Sequence, residues 1–522
     1  MPSNEQAHRP AMDQAADSYS TSTTPLFLLG SLALAVSLLV LLGHGRGKTR
    51  LPPGPPALLF LAKFVALRRS IFDLGPLIVD LHARHGPVIS IHLFRTLIFV
   101  ADRKMAHRAL VQGGATFAER PPPVDPTRLF TSGGRDISSS PYGTYWRLLR
   151  RNLAAEALSP ARVAHFAAAR RSACDGLVSS LLREQERQGQ EEAVTLRPFL
   201  RRAMFELLVF MCFGARLERE AMDEVEELQH QVLVAFTSFP VFAFFPAVTK
   251  RLFRRRWAEY LAVRRRHEEV FVPLIHAERA GGDPPCYAES LLAVRMADDV
   301  RLTDAEMVSL CSEFLNGGTD TTVTLLEWIM AELVNHPDVQ AKVYEEVRAN
   351  PELNDLQGMG MPYLKAVVME GLRLHPPGHF LLPHGVQHSG DGGVEIGGYM
   401  VPKGAEVNFL VAEIGRDETV WTAAREFRPE RFLEGAEGHG VDITGSREIK
   451  MMPFGAGRRM CPGYSLGMHH AEYFVARMVM DVEWRPPVEG EEVDMAETLD
   501  FTTVIKHPLR ARLFARTNSH NA

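Results

Sequence analysis

The stretch FGAGRRMCPG, from Phe454 to Gly463, contains a single cysteine together with two arginines and four glycine or proline residues. Glycine and proline disfavour both helix and strand here, so we predict a loop that presents Cys461. Arg458 and Arg459 favour its thiolate, and Pro462 can open the helix that follows. From composition alone this thiol could be a nucleophile, a metal ligand, a redox sensor or a structural side chain.

The composition narrows the class of protein. The chain has 522 residues, 46% hydrophobic and 23% charged, which is enough for a large core. A net charge of -5 gives no sign of a nucleic-acid partner. The five cysteines form no C-x-x-C pair, which argues against a disulfide scaffold or a structural zinc site and predicts reduced thiols on a cytosolic face.

The N-terminal residues predict a membrane anchor. Residues 1–24 are polar and form a predicted lumenal tail, whereas residues 25–43 carry no charge and predict one transmembrane helix. Basic residues follow this apolar run, so the N-terminus is expected in the lumen and the rest of the chain in the cytosol. A cleaved signal peptide is the alternative. Residues 44–60 form a basic and proline-rich hinge.

The rest of the chain predicts one large domain over residues 61–515 and a short tail at 516–522, because no Ser/Gly-rich linker interrupts it. Most of it has helical periodicity, and a strand hairpin is predicted on either side of the central helices. The predicted helices span 141–156, 160–186, 197–213, 220–236, 250–278, 304–334, 337–348 and 362–374. The predicted hairpins span 87–101 and 394–411. The fold class is therefore mainly α with a small β-rich part.

An apolar stretch at 236–248 is followed by arginine-rich residues at 250–257. One interpretation is a buried helix and then a solvated basic face. The other is a membrane contact, in which aromatic side chains enter lipid and arginines meet headgroups.

The cysteine loop resembles the haem-binding loop of the cytochromes P450, F-x-x-G-x-R-x-C-x-G. The matching residues are Phe454, Gly457, Arg459, Cys461 and Gly463. The resemblance implies the cytochrome P450 fold, with haem b (iron protoporphyrin IX) as cofactor and the Cys461 thiolate as the ligand of its iron.

Two further motifs resemble that family. In EGLR, Glu370 and Arg373 lie on one helical face, and the resemblance makes them a buried charge network with Arg431 that supports the haem loop. A plain surface ion pair is the alternative. YWRLLRR contains Trp146 and Arg150, which the family uses on haem propionates.

Arg459 is expected to join these two residues at the propionates. The resemblance also places His384 there, in LLPH, where many relatives have arginine. A neutral histidine donates only one hydrogen bond. Ala424 stands where relatives usually have proline, which we interpret as a tolerated loop change.

FLNGGTDTTV, from Phe314 to Val323, places two glycines and several poor helix formers inside a helical pattern. It resembles the family's distal helix, in which a kink opens a groove for O2. Gly317 and Gly318 then leave room above the iron, while Asp320 and Thr321 relay protons to bound oxygen. The alternative is a threonine hydroxyl that bonds back to its own helix.

The resemblance is strongest to plant microsomal A-type enzymes, and HPPGHFLLPH (375–384) is similar to their family eighty-nine. It implies a single-pass protein of the endoplasmic reticulum membrane that inserts one oxygen atom from O2 into a hydrophobic small molecule. Electrons come from NADPH through NADPH-cytochrome P450 reductase, because the chain has no flavin or nicotinamide motif, and cytochrome b5 is a further possible donor. Arg147, Arg151 and Arg458 are expected to dock the reductase.

Two alternatives remain at this point. A protein of the same fold could act as an isomerase or dehydratase on peroxides without a reductase, although the Asp320–Thr321 pair favours oxygen activation. A non-catalytic haem-binding sensor is the other alternative.

Overall fold

The computed structural model describes residues 51–56, 60, 75–92, 95–243, 245–278, 285–350, 360–387 and 394–516. The predicted lumenal tail and membrane anchor lie outside these residues, as do most of the hinge and of the C-terminal tail. Within the described part of the chain, no helix is both long enough and apolar enough to cross a bilayer.

The structure is mainly helical, as predicted from the periodicity. The helices, in chain order, are α1 (Gly75–His85), α2 (Arg103–His107), α3 (Thr127–Phe130), α4 (Thr144–Glu156), α5 (Pro160–His165), α6 (Ala167–Gln188), α7 (Arg197–Phe213), α8 (Arg219–Thr237), α9 (Pro246–Leu252), α10 (Arg254–His276), α11 (Tyr287–Ala293), α12 (Asp304–Asn335), α13 (Pro337–Arg348), α14 (Pro362–Leu374), α15 (Val411–Gly415) and α16 (Tyr464–Asp481).

Two predicted helices are each divided in two. The segment 160–186 breaks at Phe166, whose backbone leaves the helical region and whose ring packs edge-on against Phe210 at 5.8 Å. The segment 250–278 breaks at Phe253, and the first of its two helices already begins at Pro246 because proline is well placed in a first helical turn.

The strands form four small sheets. The strands are β1 (Val88–His92), β2 (Thr96–Val100), β3 (Val194–Thr195), β4 (His384–Gly385), β5 (Val394–Ile396), β6 (Tyr399–Val401), β7 (Glu406–Phe409), β8 (Val482–Arg485), β9 (Glu497–Leu499), β10 (Thr503–Ile505) and β11 (Arg510–Ala515). They are ordered β1-β2-β7-β4, β5-β6, β3-β11-β8 and β10-β9.

The first predicted hairpin is confirmed, because β1 and β2 pair antiparallel. The second is confirmed only as far as residue 401, where β5 and β6 pair antiparallel. Strand β7 instead joins β2 in parallel, with Ile98 opposite Val407 and Val100 opposite Phe409. All four of these side chains are buried, so the pairing places β7 in the core.

Helix α12 runs through the main hydrophobic core and positions the site. It begins at a capping box, in which the Thr303 hydroxyl accepts from the Glu306 N–H and the Glu306 carboxylate accepts from the Thr303 N–H. The helix is continuous through Gly317 and Gly318, so the expected kink does not interrupt it. Helices α7, α14 and α16 all pack against α12.

Candidate functional site

The cysteine loop lies at the start of α16. Gly455 and Gly457 have left-handed backbones, with φ of 73° and 72°. A side chain at Gly457 would place its Cβ 1.8 Å from the Leu110 carbonyl oxygen, so only glycine fits there. The Cys461 N–H donates to the Phe454 carbonyl at 2.8 Å and closes the loop. The loop therefore holds the cysteine in a defined position, as its composition predicts.

The electrostatics of the thiol involve a cation from outside the cysteine loop. Burial raises the pKa of Cys461, while the Gly463 N–H and the charge of Arg150 act to lower it. Arg458 is exposed and donates to the Tyr142 hydroxyl instead. Arg459 donates to three backbone carbonyls. Arg150 is thus a cation that acts on the sulfur, and the expected effect of Arg458 and Arg459 on the thiolate stays a prediction.

Trp146, Arg150 and Arg459 come together around the cysteine loop. The Arg150 guanidinium donates to the Met460 carbonyl, next to the cysteine. The Trp146 indole N–H donates to the Ile137 carbonyl at 3.2 Å, and the Arg459 guanidinium lies over the indole ring, 4.5 Å from its centroid. Because Trp146 has only one N–H, a contact with a haem propionate would require it to leave Ile137.

His384 lies in β4 and is buried. Its Nδ1 is 2.6 Å from the Phe117 carbonyl oxygen and donates to it, since a carbonyl can only accept. Burial, together with the charge of Arg120, lowers its pKa to about 3. His384 is therefore neutral at physiological pH. A contact between His384 and a haem propionate stays a prediction.

Arg120 is a cation near His384 that the sequence motifs did not identify. Its guanidinium donates to the carbonyls of Leu382 at 3.2 Å and Pro383 at 2.9 Å, directly before the histidine. It also donates to the Ser138 carbonyl at 2.8 Å. The only sequence signal was one arginine before the prolines of ERPPP, and nothing in that pattern places it beside LLPH.

The two glycines of α12 have different surroundings. A Cβ at Gly317 would meet nothing within 4 Å, whereas a Cβ at Gly318 would lie 2.9 Å from the Leu208 side chain on α7. The expectation of open space at both positions therefore holds only at Gly317. Gly318 instead permits close packing between α12 and α7.

The two residues expected to relay protons, Asp320 and Thr321, already have partners in this structure. Asp320 forms an ion pair with Arg201 of α7, and burial raises the pKa of Asp320 although Arg201 opposes this. The Thr321 hydroxyl donates to the Gly317 carbonyl at 2.7 Å, which is the alternative left open by the sequence. Arg201 also bonds Glu226 at 3.0 Å and was missed because it lies on a different helix.

Glu370, Arg373 and Arg431 form the expected charge network, and its core is fully buried. The side chains of Glu370 and Arg373 are 0% exposed, and Arg373 Nε lies 2.7 Å from Glu370 Oε2. Arg431 bonds the same carboxylate at 2.9 Å. The alternative of a surface ion pair is therefore excluded. Ala424 belongs to the network, because its carbonyl accepts from Arg373 at 2.6 Å.

No group of three or more potential metal-ligating residues occurs in the part of the chain that the structure describes. The adjacent His469 and His470 are both buried in α16, which agrees with a packing role.

Known proteins resemble the chain over nearly its whole length. Residues 52–513 match the family described as Cytochrome P450. The chain is 43% identical over 515 residues to Cytochrome P450 89A9 of Arabidopsis thaliana, which covers 95% of this chain and 99% of that protein. It is 32% identical over 510 residues to Cytochrome P450 98A1 of Sorghum bicolor, covering 93% and 96% of the two chains.

A solved structure shares the fold. A zebra fish cytochrome P450, determined with abiraterone, superposes with a TM-score of 0.68 at 24% identity and covers 85% of this chain and 100% of its own. The chain thus belongs to the cytochrome P450 family, whose members are haem-thiolate monooxygenases, and within that family it is similar to plant family 89.

Proposed function

We propose that this chain is a membrane-anchored monooxygenase that holds haem b through Cys461 and inserts one oxygen atom from O2 into a hydrophobic small molecule. The observation that supports the proposal is the difference in solvent accessibility between Cys461 and the other cysteines. All five cysteines lie in the described residues, four of them are buried, and only Cys461 is partly accessible. The Gly463 N–H also interacts with its sulfur in the sense that favours a thiolate.

The surrounding residues fit a haem group. Arg459 uses only part of its donor capacity on backbone carbonyls, so N–H groups remain for a propionate. Arg150 likewise carries more donors than its contact with Met460 uses. Haem supplies the iron that activates O2, and a thiolate ligand favours O–O cleavage. The chain supplies the thiol, the cations and the proton path.

Asp320 and Thr321 are the proposed proton relay. Asp320 has one carboxylate oxygen, Oδ2, that is buried and has no hydrogen-bond partner among the described residues. The Thr321 hydroxyl can accept a hydrogen bond while it donates its own hydrogen to the Gly317 carbonyl. Arg201 holds the carboxylate in place and offers a connection towards Glu226, which is 24% exposed.

The decisive experiment uses full-length protein with purified NADPH-cytochrome P450 reductase, with and without cytochrome b5. Reduced protein treated with carbon monoxide should show the red-shifted Soret band of thiolate-ligated haem. NADPH consumption with a library of apolar metabolites should yield an oxygenated product. If the red-shifted band is present and the protein converts peroxides without reductase, an isomerase or dehydratase would be supported. A normal band without any product would support a sensor.

The membrane arrangement is part of the proposal, with the N-terminus in the lumen of the endoplasmic reticulum and the catalytic domain in the cytosol. We infer a second lipid contact at α9. Phe245, Val248 and Leu252 are 42%, 55% and 51% exposed, and their spacing places them on one side of the helix. Arg251 is exposed in the last turn, where it can meet headgroups, whereas Lys250 forms an ion pair with Asp125 at 2.6 Å.

Quenching by brominated lipid tests this contact. Val248→Trp protein in proteoliposomes should be quenched more strongly than a Val488→Trp control, because Val488 is equally exposed at 53% but lies among acidic residues. Equal quenching of both would exclude the α9 contact. Protease protection of an N-terminal tag in sealed microsomes tests the lumenal position independently.

The reductase is proposed to dock beside the cysteine loop. Arg147, Arg151 and Arg458 are all exposed there, and Arg147 and Arg458 both lie over the Tyr142 ring. An acidic partner would be attracted electrostatically, so turnover should slow as ionic strength rises. Turnover that is independent of salt would exclude electrostatic docking.

A further inference from the structure

A short loop, residues 137–140, contacts both the distal helix α12 and a cation of the cysteine loop. The Glu313 carboxylate of α12 accepts two backbone N–H groups of this loop, from Ile137 at 2.8 Å and from Ser138 at 2.6 Å. Each carboxylate oxygen receives one of them. The side chain therefore determines both the position and the orientation of the two peptide groups.

The carbonyl groups of the same loop bind side chains on its other side. Arg459 donates to the Ile137 carbonyl at 3.2 Å and to the Ser140 carbonyl at 2.7 Å. The Trp146 indole N–H also donates to the Ile137 carbonyl, at 3.2 Å. A rotation of these peptides would thus disturb the two residues expected beside the haem propionates.

Electrostatics connect Glu313 to the same cations. Burial lowers the pKa of Arg120, Arg150 and Arg459, and Glu313 is among the groups that oppose this in all three. Burial raises the pKa of Glu313 itself, and the neighbouring Asp136 raises it further. The N–H groups of Ile137 and Ser138 act to lower this pKa, because they donate to the ionised carboxylate, and it is this ionised form that acts on the three guanidinium groups.

Glu306 provides a natural comparison on the same helix. It binds the Arg135 side chain, two residues before Ile137, at 2.6 Å and makes no bond to the backbone N–H groups of Ile137 or Ser138. It also accepts from the Tyr145 hydroxyl at 3.5 Å and caps α12 at Thr303. Glutamine can replace glutamate in a capping box, so Glu306→Gln should leave the helix intact.

We propose that Glu313 is a positioning residue for the haem edge, which orients the peptides of residues 137–140 so that Arg459 and Trp146 are held beside the cofactor. This inference rests on the proposed haem binding. It assigns a function to a carboxylate that acts through its hydrogen bonds to Ile137 and Ser138.

The test measures how fast ferric haem leaves the full-length protein for apomyoglobin. In Glu313→Gln the side-chain amide would face one of the two N–H donors, so haem release should become about tenfold faster. Glu306→Gln should stay within twofold of wild type. If Glu313→Gln yields no haem-loaded protein, the same measurement is made on Glu313→Asp. Aspartate can keep one of the two hydrogen bonds, so this variant should release haem faster than wild type but less than tenfold faster.

A double-mutant cycle separates positioning from general destabilisation. Arg459→Lys alone should speed haem release, because lysine lacks the forked donors. If Glu313 acts through Arg459, the double variant should release haem no faster than the faster single variant. Additive effects, or a Glu313 variant that releases haem like wild type, would overturn the inference. Wild-type protein without the thiolate band would overturn the proposed function, which is a different result.

Discussion

Glu370→Gln is the most informative substitution in the charge network. Four donors converge on the Glu370 carboxylate, because Arg373 binds it with two nitrogens at 2.7 and 2.8 Å and Arg431 with one at 2.9 Å. The Arg428 N–H is the fourth, at 2.8 Å. Glutamine keeps the shape but removes the charge, and its amide nitrogen would face a donor. Two buried guanidinium groups would lose their shared counter-ion.

The expected effect can be estimated from burial. Breaking a buried ion pair by removing one partner costs about 3–5 kcal/mol. The entropy of unfolding is about 2.1 cal/mol/K per residue. For the P450 domain, residues 52–513, the total entropy of unfolding is therefore about 1 kcal/mol/K. The unfolding midpoint of Glu370→Gln should therefore fall by about 3–5 °C relative to wild type.

Heating of the full-length, haem-loaded protein in detergent measures this shift. Loss of the red-shifted carbon monoxide band at one fixed scan rate gives comparable midpoints even if unfolding is irreversible. Glu430→Gln is the matched control, since Glu430 is 45% exposed and binds Lys342 at 2.8 Å on the surface. A surface pair contributes about 0–1 kcal/mol. If both variants shifted the midpoint equally, the network would not have the importance that we infer.

Three further predictions follow from the site. Cys461→Ser should abolish the red-shifted carbon monoxide band while Cys311→Ser, at a buried position, retains it; a band in the first variant would contradict thiolate ligation. Gly457→Ala should lower the thermal midpoint because its Cβ would overlap the Leu110 carbonyl, whereas Gly143→Ala, with open space around it, should not. Burial keeps the pKa of Asp320 above its ordinary value. The protonated fraction of Asp320, and with it the rate of product formation, should therefore fall as pH rises through that raised pKa. The Asp320→Asn variant should form product more slowly and lack this pH dependence.

Site residues could be predicted from the sequence where they depend only on residues close to them along the chain. The cysteine loop depends on glycines and a proline within ten residues of one another, so its turn and its thiol could both be predicted. The helical parts also followed from periodicity, and the bounds of α7, α13 and α14 agree with prediction to the residue. The pair Glu370–Arg373 is local too, because both side chains lie on one helix.

Contacts between distant segments could not be predicted in this way. Asp320 meets Arg201 from another helix, and Arg120 reaches the carbonyls before His384. Strand β7 left its predicted hairpin for a parallel pairing with β2, because that position buries its apolar side chains. Short-range periodicity describes which face of an element is apolar but not which other element covers it.

The sequence by itself determined the family, the thiol expected to bind iron and the helices that carry most of the expected site residues, since these depend on neighbouring residues. Only the tertiary structure decided which cation acts on Cys461, which glycine of α12 faces open space and which carboxylate holds residues 137–140. Charge effects on a thiol and hydrogen bonds to a loop depend on distance in space, and packing brings together residues that are far apart along the chain.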